Sequence, residues 1–277
     1  MTHLSFPYLR PSLLLVAGFW ALGVMACRPA TESSPSLQTD NPASGQTELQ
    51  AAETPPATTD LEHTEAPGLE QSATAIASVS EIEAEPVWVR PQATEEVAAV
   101  VEMPLDSGDV IRTEGEALAE VEFANGLGFR IGGDAALEIQ PSNVLALESG
   151  EMITWVEPGQ KIPVTITTPG GVAAGIRGTT VFVRLPADPG GETLFFAWEG
   201  TVGLQVPDST DEVILNQGEE VSIPQGERDL AVIRQRVRRL PLREWQQRRR
   251  QSRLLNRFQR PLPTLDIIDG SVENLDG

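Results

Sequence analysis

The alternation that begins at Ala117 constrains this chain more than any other feature of it. Ala117, Ala119, Val121 and Phe123 alternate with Leu118, Glu120 and Glu122, the two-residue period of a half-buried strand. Asn125-Gly126 follows, a pair that tolerates positive φ at both positions and favours a tight hairpin. Leu127, Phe129 and Ile131 alternate on the returning strand, and Gly132-Gly133-Asp134 reads as the next turn. Short β-prone runs recur at 144–147, 152–156, 164–168, 181–185, 194–198, 202–206, 213–215 and 221–223, with Gly, Pro, Asn and Asp between them. The expectation is an all-β domain over 87–227, a sandwich or roll of short, mainly antiparallel strands with ample length for one core.

What flanks this region has a different character. Residues 28–86 are rich in Thr, Ser, Pro, Ala and Glu, with large apolar residues too sparse to form a periodic face. Such a segment cannot bury enough surface to offset its conformational entropy, and it is expected to be a disordered acidic tether with a reach of about 45 Å. Before it, Leu13–Ala26 is an uncharged run of 14 residues that ends at Cys27, the only cysteine. A bilayer-spanning helix needs about 20 apolar residues and a signal-peptide apolar region about 7–15, so the run fits the latter. The segment LGVMAC, with Ala26 directly before Cys27, resembles a bacterial lipoprotein signal. That resemblance implies that Cys27 is lipidated and becomes the mature N-terminus, which holds the protein to a membrane. Each acyl methylene adds about 0.8 kcal/mol of burial, and stable anchoring takes more than one chain.

Several kinds of chemistry have nothing to be built from. One cysteine allows no intrachain disulfide and no thiolate cluster. His3 and His63, the only histidines, fall outside the expected domain, which leaves no histidine triad and no zinc site of the usual ligands. Gly170-Gly171, Gly175 and Gly178 are not followed by Lys-Ser/Thr or by a helical pattern, so they read as turns or close backbone approaches rather than a phosphate loop. Asp106 with Asp109, and Glu219 with Glu220, read as solvated acids in an acidic chain, and Asp208–Glu212 lacks the ligand spacing of a calcium loop. Trp155 and Trp198 sit in strands and read as core. The expectation is no catalytic residue, no cofactor and no metal; carboxylate-only glycosidase chemistry would need two acids facing each other across a cleft.

Four segments in order carry a more specific signal: 108–131 (GDVIRTEGEALAEVEFANGLGFRI), 144–156 (VLALESGEMITWV), 166–184 (ITTPGGVAAGIRGTTVFVR) and 195–206 (FFAWEGTVGLQV). Together they resemble the FecR domain family. The resemblance implies an extracytoplasmic module for sensing or protein contact. Its best-known members are transmembrane regulators that relay a signal to a sigma factor through a cytoplasmic N-terminal domain. Here the expected signal leaves room for no such domain, so the implied arrangement is the outer module alone on a lipid anchor.

Net charge is −20 overall, yet residues 228–260 hold twelve arginines against Asp229 and Glu244. Leu230, Ile233, Val237 and Leu240 recur there at helical spacing, Pro241 interrupts, and Trp245, Leu254, Leu255 and Phe258 mark a second stretch that Pro261 and Pro263 end. This is the expected basic helical segment, followed by a disordered acidic tail at 261–277. Its apolar stripe can pack on the β-domain with the arginines solvated or paired to its acids. It can also rest on anionic lipid, at roughly 1 kcal/mol per basic residue, or dock on an acidic envelope protein or polymer. The acidic body and the export signal argue against nucleic acid. The expected protein is a non-enzymatic lipoprotein of the bacterial envelope, on the periplasmic or cell-surface side. Its partners are membrane lipid at Cys27 and another envelope component; the alternative is a periplasmic sensor acting through a transmembrane partner.

Overall fold

The computed structural model describes residues 75–273. Cys27, the apolar run before it and most of the expected tether lie outside the described residues.

Two long strands organise what is described. Strand β7 (Leu127–Gln140) and strand β8 (Val144–Val156) pair antiparallel along their whole lengths, from Leu127 opposite Val156 to Gln140 opposite Val144. Both bend midway, so each belongs to two sheets. On the side of their outer halves, β7 is flanked by β6 (Leu118–Phe123), and beyond it β1 (Ala77–Glu83) and β4 (Pro104–Leu105). The same half of β8 is flanked by β11 (Thr180–Arg184), β12 (Glu192–Glu199), β15 (Glu219–Pro224) and β16 (Arg238–Arg239). On the other side, β5 (Val110–Thr113), β2 (Val87–Arg90) and β3 (Val97–Ala98) follow β7. There β8 is followed by β9 (Pro163–Thr167), β10 (Ala173–Arg177), β13 (Thr201–Gln205) and β14 (Glu212–Asn216). All these pairings are antiparallel except β8 with β9. The result is an all-β sandwich whose two layers share one bent hairpin.

The bend corrects an expected turn. Gly132-Gly133-Asp134 does not reverse the chain; it is an irregularity inside β7, with Gly133 and Asp134 at φ 65° and 56°. Opposite it, Gly150 at φ 75° lies so close to β7 that a Cβ would fall 2.4 Å from the Cα of Ala135. Only glycine fits such a contact, and a bulge is how a strand changes layer.

The main core lies between the layers: Val79, Val121, Phe129, Ile131, Met152, Val183 and Phe195 meet Val89, Leu137, Ile139, Leu145, Ile166, Leu204 and Leu215. Each such side chain, fully buried, stabilises the fold by roughly 1.5–3 kcal/mol. Strand β1 is a correction to the expected tether, which was drawn to residue 86. Ala77 and Val79 are buried on β6, because that strand is otherwise an unpaired edge beside the core.

The C-terminal segment is helical, as expected, but its boundaries differ. Helix α1 (Leu230–Arg236) starts at Asp229, whose carboxylate accepts the backbone N–H groups of Ala231 and Val232, and it puts Ile233 into the main core. The helical spacing does not carry through Val237 and Leu240: Arg238–Arg239 are extended and pair with Glu219 and Glu220. Cross-strand ion pairing outweighs the local helical period there. Helix α2 (Leu242–Gln251) restarts after Pro241, and α3 (Arg253–Asn256) follows. The tail expected to be disordered instead forms α4 (Leu265–Glu273), with Ile268 and Val272 buried. No helix among the described residues is long and apolar enough to cross a membrane.

Candidate functional site

Alternation decides which side chains leave the core and face outward from the layer of β6, β7, β8, β11 and β12. Leu118, Ile153, Trp155, Phe196 and Trp198 do so, and with them Glu120 and Arg130, opposed across the β6–β7 ladder. Left open, this face would be a large aromatic patch. The C-terminal segment closes it: Trp245 of α2, Leu254 and Leu255 of α3, then Phe258, Leu262 and Ile268 pack on it as a second core. Trp245 lies against the edge of Phe196, with centroids 6.2 Å apart, and over Gly218, where a Cβ would come within 2.6 Å of its ring. Trp155 likewise lies across Gly128. Trp155 and Trp198 are thus core, as expected, but in the outer of two cores.

Arg130 is the latch. It is fully buried; Nε donates to Glu120 Oε2 at 2.6 Å, Nη1 to the carbonyl of Leu254 at 2.9 Å and Nη2 to that of Arg260 at 2.5 Å. Its guanidinium lies 4.1 Å from the centroid of Phe258 and 5.7 Å from that of Trp155. Burial pulls it below the usual guanidinium range while Glu120 opposes that pull, and an arginine in this setting stays a cation. Glu120 also accepts from the Ser80 hydroxyl and from Arg260, and Glu81 accepts the backbone N–H of Gln259. Arginine suits the position because its planar fork satisfies three acceptors at once.

Farther along, Arg248 of α2 stacks 4.6 Å above Phe196 and pairs with Glu220, which Arg238 also holds. Arg236 pairs with Glu192, Arg239 with Glu219, Arg253 with Glu116, and Arg249 with Asp269 of α4. Of the three uses open to the basic segment, packing with its arginines on the domain's acids is the one the structure displays. This corrects the reading of Glu219 and Glu220 as solvated. Asp109 is also buried, accepting the backbone N–H groups of Gln92 and Asp106. Gly171 and Gly178 occupy turns at positive φ, whereas Gly175 lies within strand β10.

The closure leaves more than one gap: a space of about 600 Å³ lies between residues 157–163 and Thr264 and Ile267. Between α2 and strands β8, β11 and β12 a cleft of about 430 Å³ remains, lined by Glu151, Phe182, Arg184, Trp198, Gln247 and Gln251, with Glu244, Arg248, Ser252 and Arg253 around it. Glu151 and Arg184 are cross-strand neighbours that form no ion pair within 4 Å. Burial pushes the Glu151 carboxyl above the usual carboxylate range, against the pull of Arg184 and Arg253. Glu151, Arg184, Gln247 and Gln251 present polar groups to this space. No group of three or more metal-ligating side chains occurs among the described residues. Sequence reading missed Glu120, Arg130, Glu151 and Glu220. A signal was present: Met152–Val156 and Leu194–Trp198 are apolar without alternation, as strands covered on both faces are.

Residues 109–203 match the family described as FecR protein. Two crystal structures of a candidate anti-sigma factor from Parabacteroides distasonis, at 2.50 and 1.65 Å, align over 43% of this chain, with 14% sequence identity and a TM-score of 0.37 in each case. The chain spans 56% and 57% of the lengths of those two structures. No curated protein matches the sequence.

Proposed function

Because residues 109–203 are a FecR domain, we propose that this protein is a non-enzymatic recognition module of the bacterial envelope, a periplasmic sensor or regulator in cell-surface signalling. The observation that carries the reading is the cleft beside α2. It is a gap in the covered aromatic face, and there the Glu151 carboxylate, the Arg184 guanidinium and the Gln247 and Gln251 amides make no ion pair and no side-chain hydrogen bond among the described residues. Such a surface suits reversible binding. Catalysis is disfavoured because Glu244, the second acid of the cleft, is exposed and paired with Arg238 at 2.9 Å, which leaves Glu151 without a facing acid or base.

Two further elements belong to the proposal. Acylation of Cys27 would hold the chain at a membrane, and the segment between it and residue 77 would give the domain room to reach a partner. The partner is an envelope component, and signalling to the cell interior would then need a membrane-crossing protein.

A photo-crosslinking residue at Gln247, exposed at the cleft, tests the reading in living cells. The expected result is a defined envelope component that is captured from Gln247, lost when Glu151 is changed to glutamine, and absent when the probe sits at Ile214 on the far layer. Identical capture from both positions would sink the proposal. For the anchor, Cys27→Ser should abolish acyl labelling and release the protein from the membrane fraction; unchanged labelling would refute it.

A further inference from the structure

The chemistry of the cleft narrows what it can hold. Its groups are of both signs and close together. Arg184 and Glu151 are opposed across β11 and β8, Arg248 and Arg253 approach from the helices, and Glu244 stands at the rim. A ligand carrying a carboxylate or phosphate would meet Glu151 and Glu244, and one carrying an ammonium group would meet three arginines. Either pays a repulsion along with its attraction. What fits both kinds of group is one that donates and accepts at once without net charge, and a hydroxyl is such a group.

The other walls point the same way. Gln247 and Gln251 stand four residues apart on α2 and therefore on one face of it, and both are exposed at the cleft. A primary amide offers two donors and an acceptor, the usual complement to vicinal hydroxyls. Phe182, half-buried on β11 between these polar groups, supplies an apolar surface of the size that the C–H face of a sugar ring presents. Trp198, 1% exposed, closes the space behind them.

We propose that this cleft binds an uncharged saccharide, one or two rings of a polymer, through Glu151, Arg184, Gln247 and Gln251 with Phe182 against a ring face. The proposal rests on the reading of the cleft as the recognition site and names its ligand class. At about 430 Å³ the space is within the range of small-ligand sites.

The test is a titration of the full chain with three neutral trisaccharides (maltotriose, cellotriose and the N-acetylglucosamine trimer), followed by the side-chain amide resonances of Gln247 and Gln251 and the indole resonance of Trp198. At least one sugar should shift these resonances saturably. Glu151→Gln should weaken binding by at least about tenfold, the equivalent of losing one charge-assisted hydrogen bond. Gln251→Ala, an exposed change that leaves the fold intact, should weaken it as well. Glucosamine and galacturonate oligomers, cationic and anionic respectively, should bind more weakly than the neutral sugar. The proposal is overturned if no neutral sugar shifts the three resonances, if a charged oligomer binds best, or if neither variant changes the affinity. Failure here with partner-specific crosslinking still seen from Gln247 removes only the saccharide; loss of both removes the recognition site as well.

Discussion

The two layers share a hairpin but differ in how they are finished. In the layer of β11 and β12 both faces are covered, the inner by the opposite sheet and the outer by α2–α4. In the layer of β9, β10, β13 and β14 the described residues cover only the inner face, and among them the outward side chains of β14, such as Ile214, are exposed. The difference teaches where the chain keeps its charge pairs. On the covered layer, arginines from the C-terminal segment reach buried or half-buried acids, Glu120 and Glu220 above all. A hydrophobic face becomes a third layer only because a cationic segment closes over it.

If that closure is integral to the fold, its largest aromatic should matter most. Trp245→Ala is expected to cost about 3–5 kcal/mol in denaturant unfolding, the range for removing a large aromatic from a packed site. A cost near zero would mean that the third layer adds little to the fold. Arg130→Met comes next, at about 3 kcal/mol, the low end for breaking a buried ion pair, because Arg260 and Ser80 remain to hold Glu120. A variant as stable as the parent would show that the latch is one that apolar packing can replace.

The layers should also answer pH with opposite signs. Glu151, on the covered layer, has its carboxyl raised by burial, so the folded state holds its proton more tightly than the unfolded chain does. Its contribution is fully present below the ordinary carboxylate value and is lost as pH rises through the folded value. Glu151→Gln should therefore stabilise the protein at neutral pH, and the gain should vanish in acid. Glu96, beside β3 on the open layer, is lowered by its hydrogen bonds from Arg112. It stabilises above its ordinary value, and that stability is lost as pH falls through the folded one. Glu96→Gln should be mildly destabilising at neutral pH and silent in acid. Thermal unfolding of both variants between acid and neutral pH measures this, and slopes of the same sign would contradict it.

These opposite characters were only half legible in the sequence. The strands of the open layer follow from alternation, because one wet face and one dry face write a two-residue period, and the hairpin at Asn125-Gly126 follows because its outward positions on the covered layer carry Glu120, Glu122 and Arg130. Elsewhere the covered layer does not write that period: Ile153 and Trp155 face outward and are as apolar as Met152 and Val156, which face inward. A lone strand gives no sign of which neighbour covers its second face. Arg130 and Glu120 read as solvent-facing for the same reason, since alternation assigns a side but not what lies beyond it. Helix α4 escaped notice because it is short and follows Pro261 and Pro263, and only the existing aromatic surface makes its apolar residues worth burying. Strand β1 escaped because Ala77 and Val79 are small residues in acidic surroundings that gain their core contacts from β6.

The smallest expected effect is the most discriminating about the open layer. Ile214 projects from β14 between buried Val213 and Leu215 and is 41% exposed. If nothing in the molecule covers that face, Ile214→Ser removes little buried surface and leaves no unsatisfied group, so the change should stay within about 0.5 kcal/mol. The equivalent outward position on the covered layer is Ile153, which is fully buried beneath the C-terminal helices. There the same substitution removes a packed side chain and strands a hydroxyl, and it should cost several times more. Measured side by side in urea, the two substitutions separate a face built for solvent from a face built for a third layer. Equal costs would mean that the open layer, too, is covered by some part of the chain beyond residues 75–273.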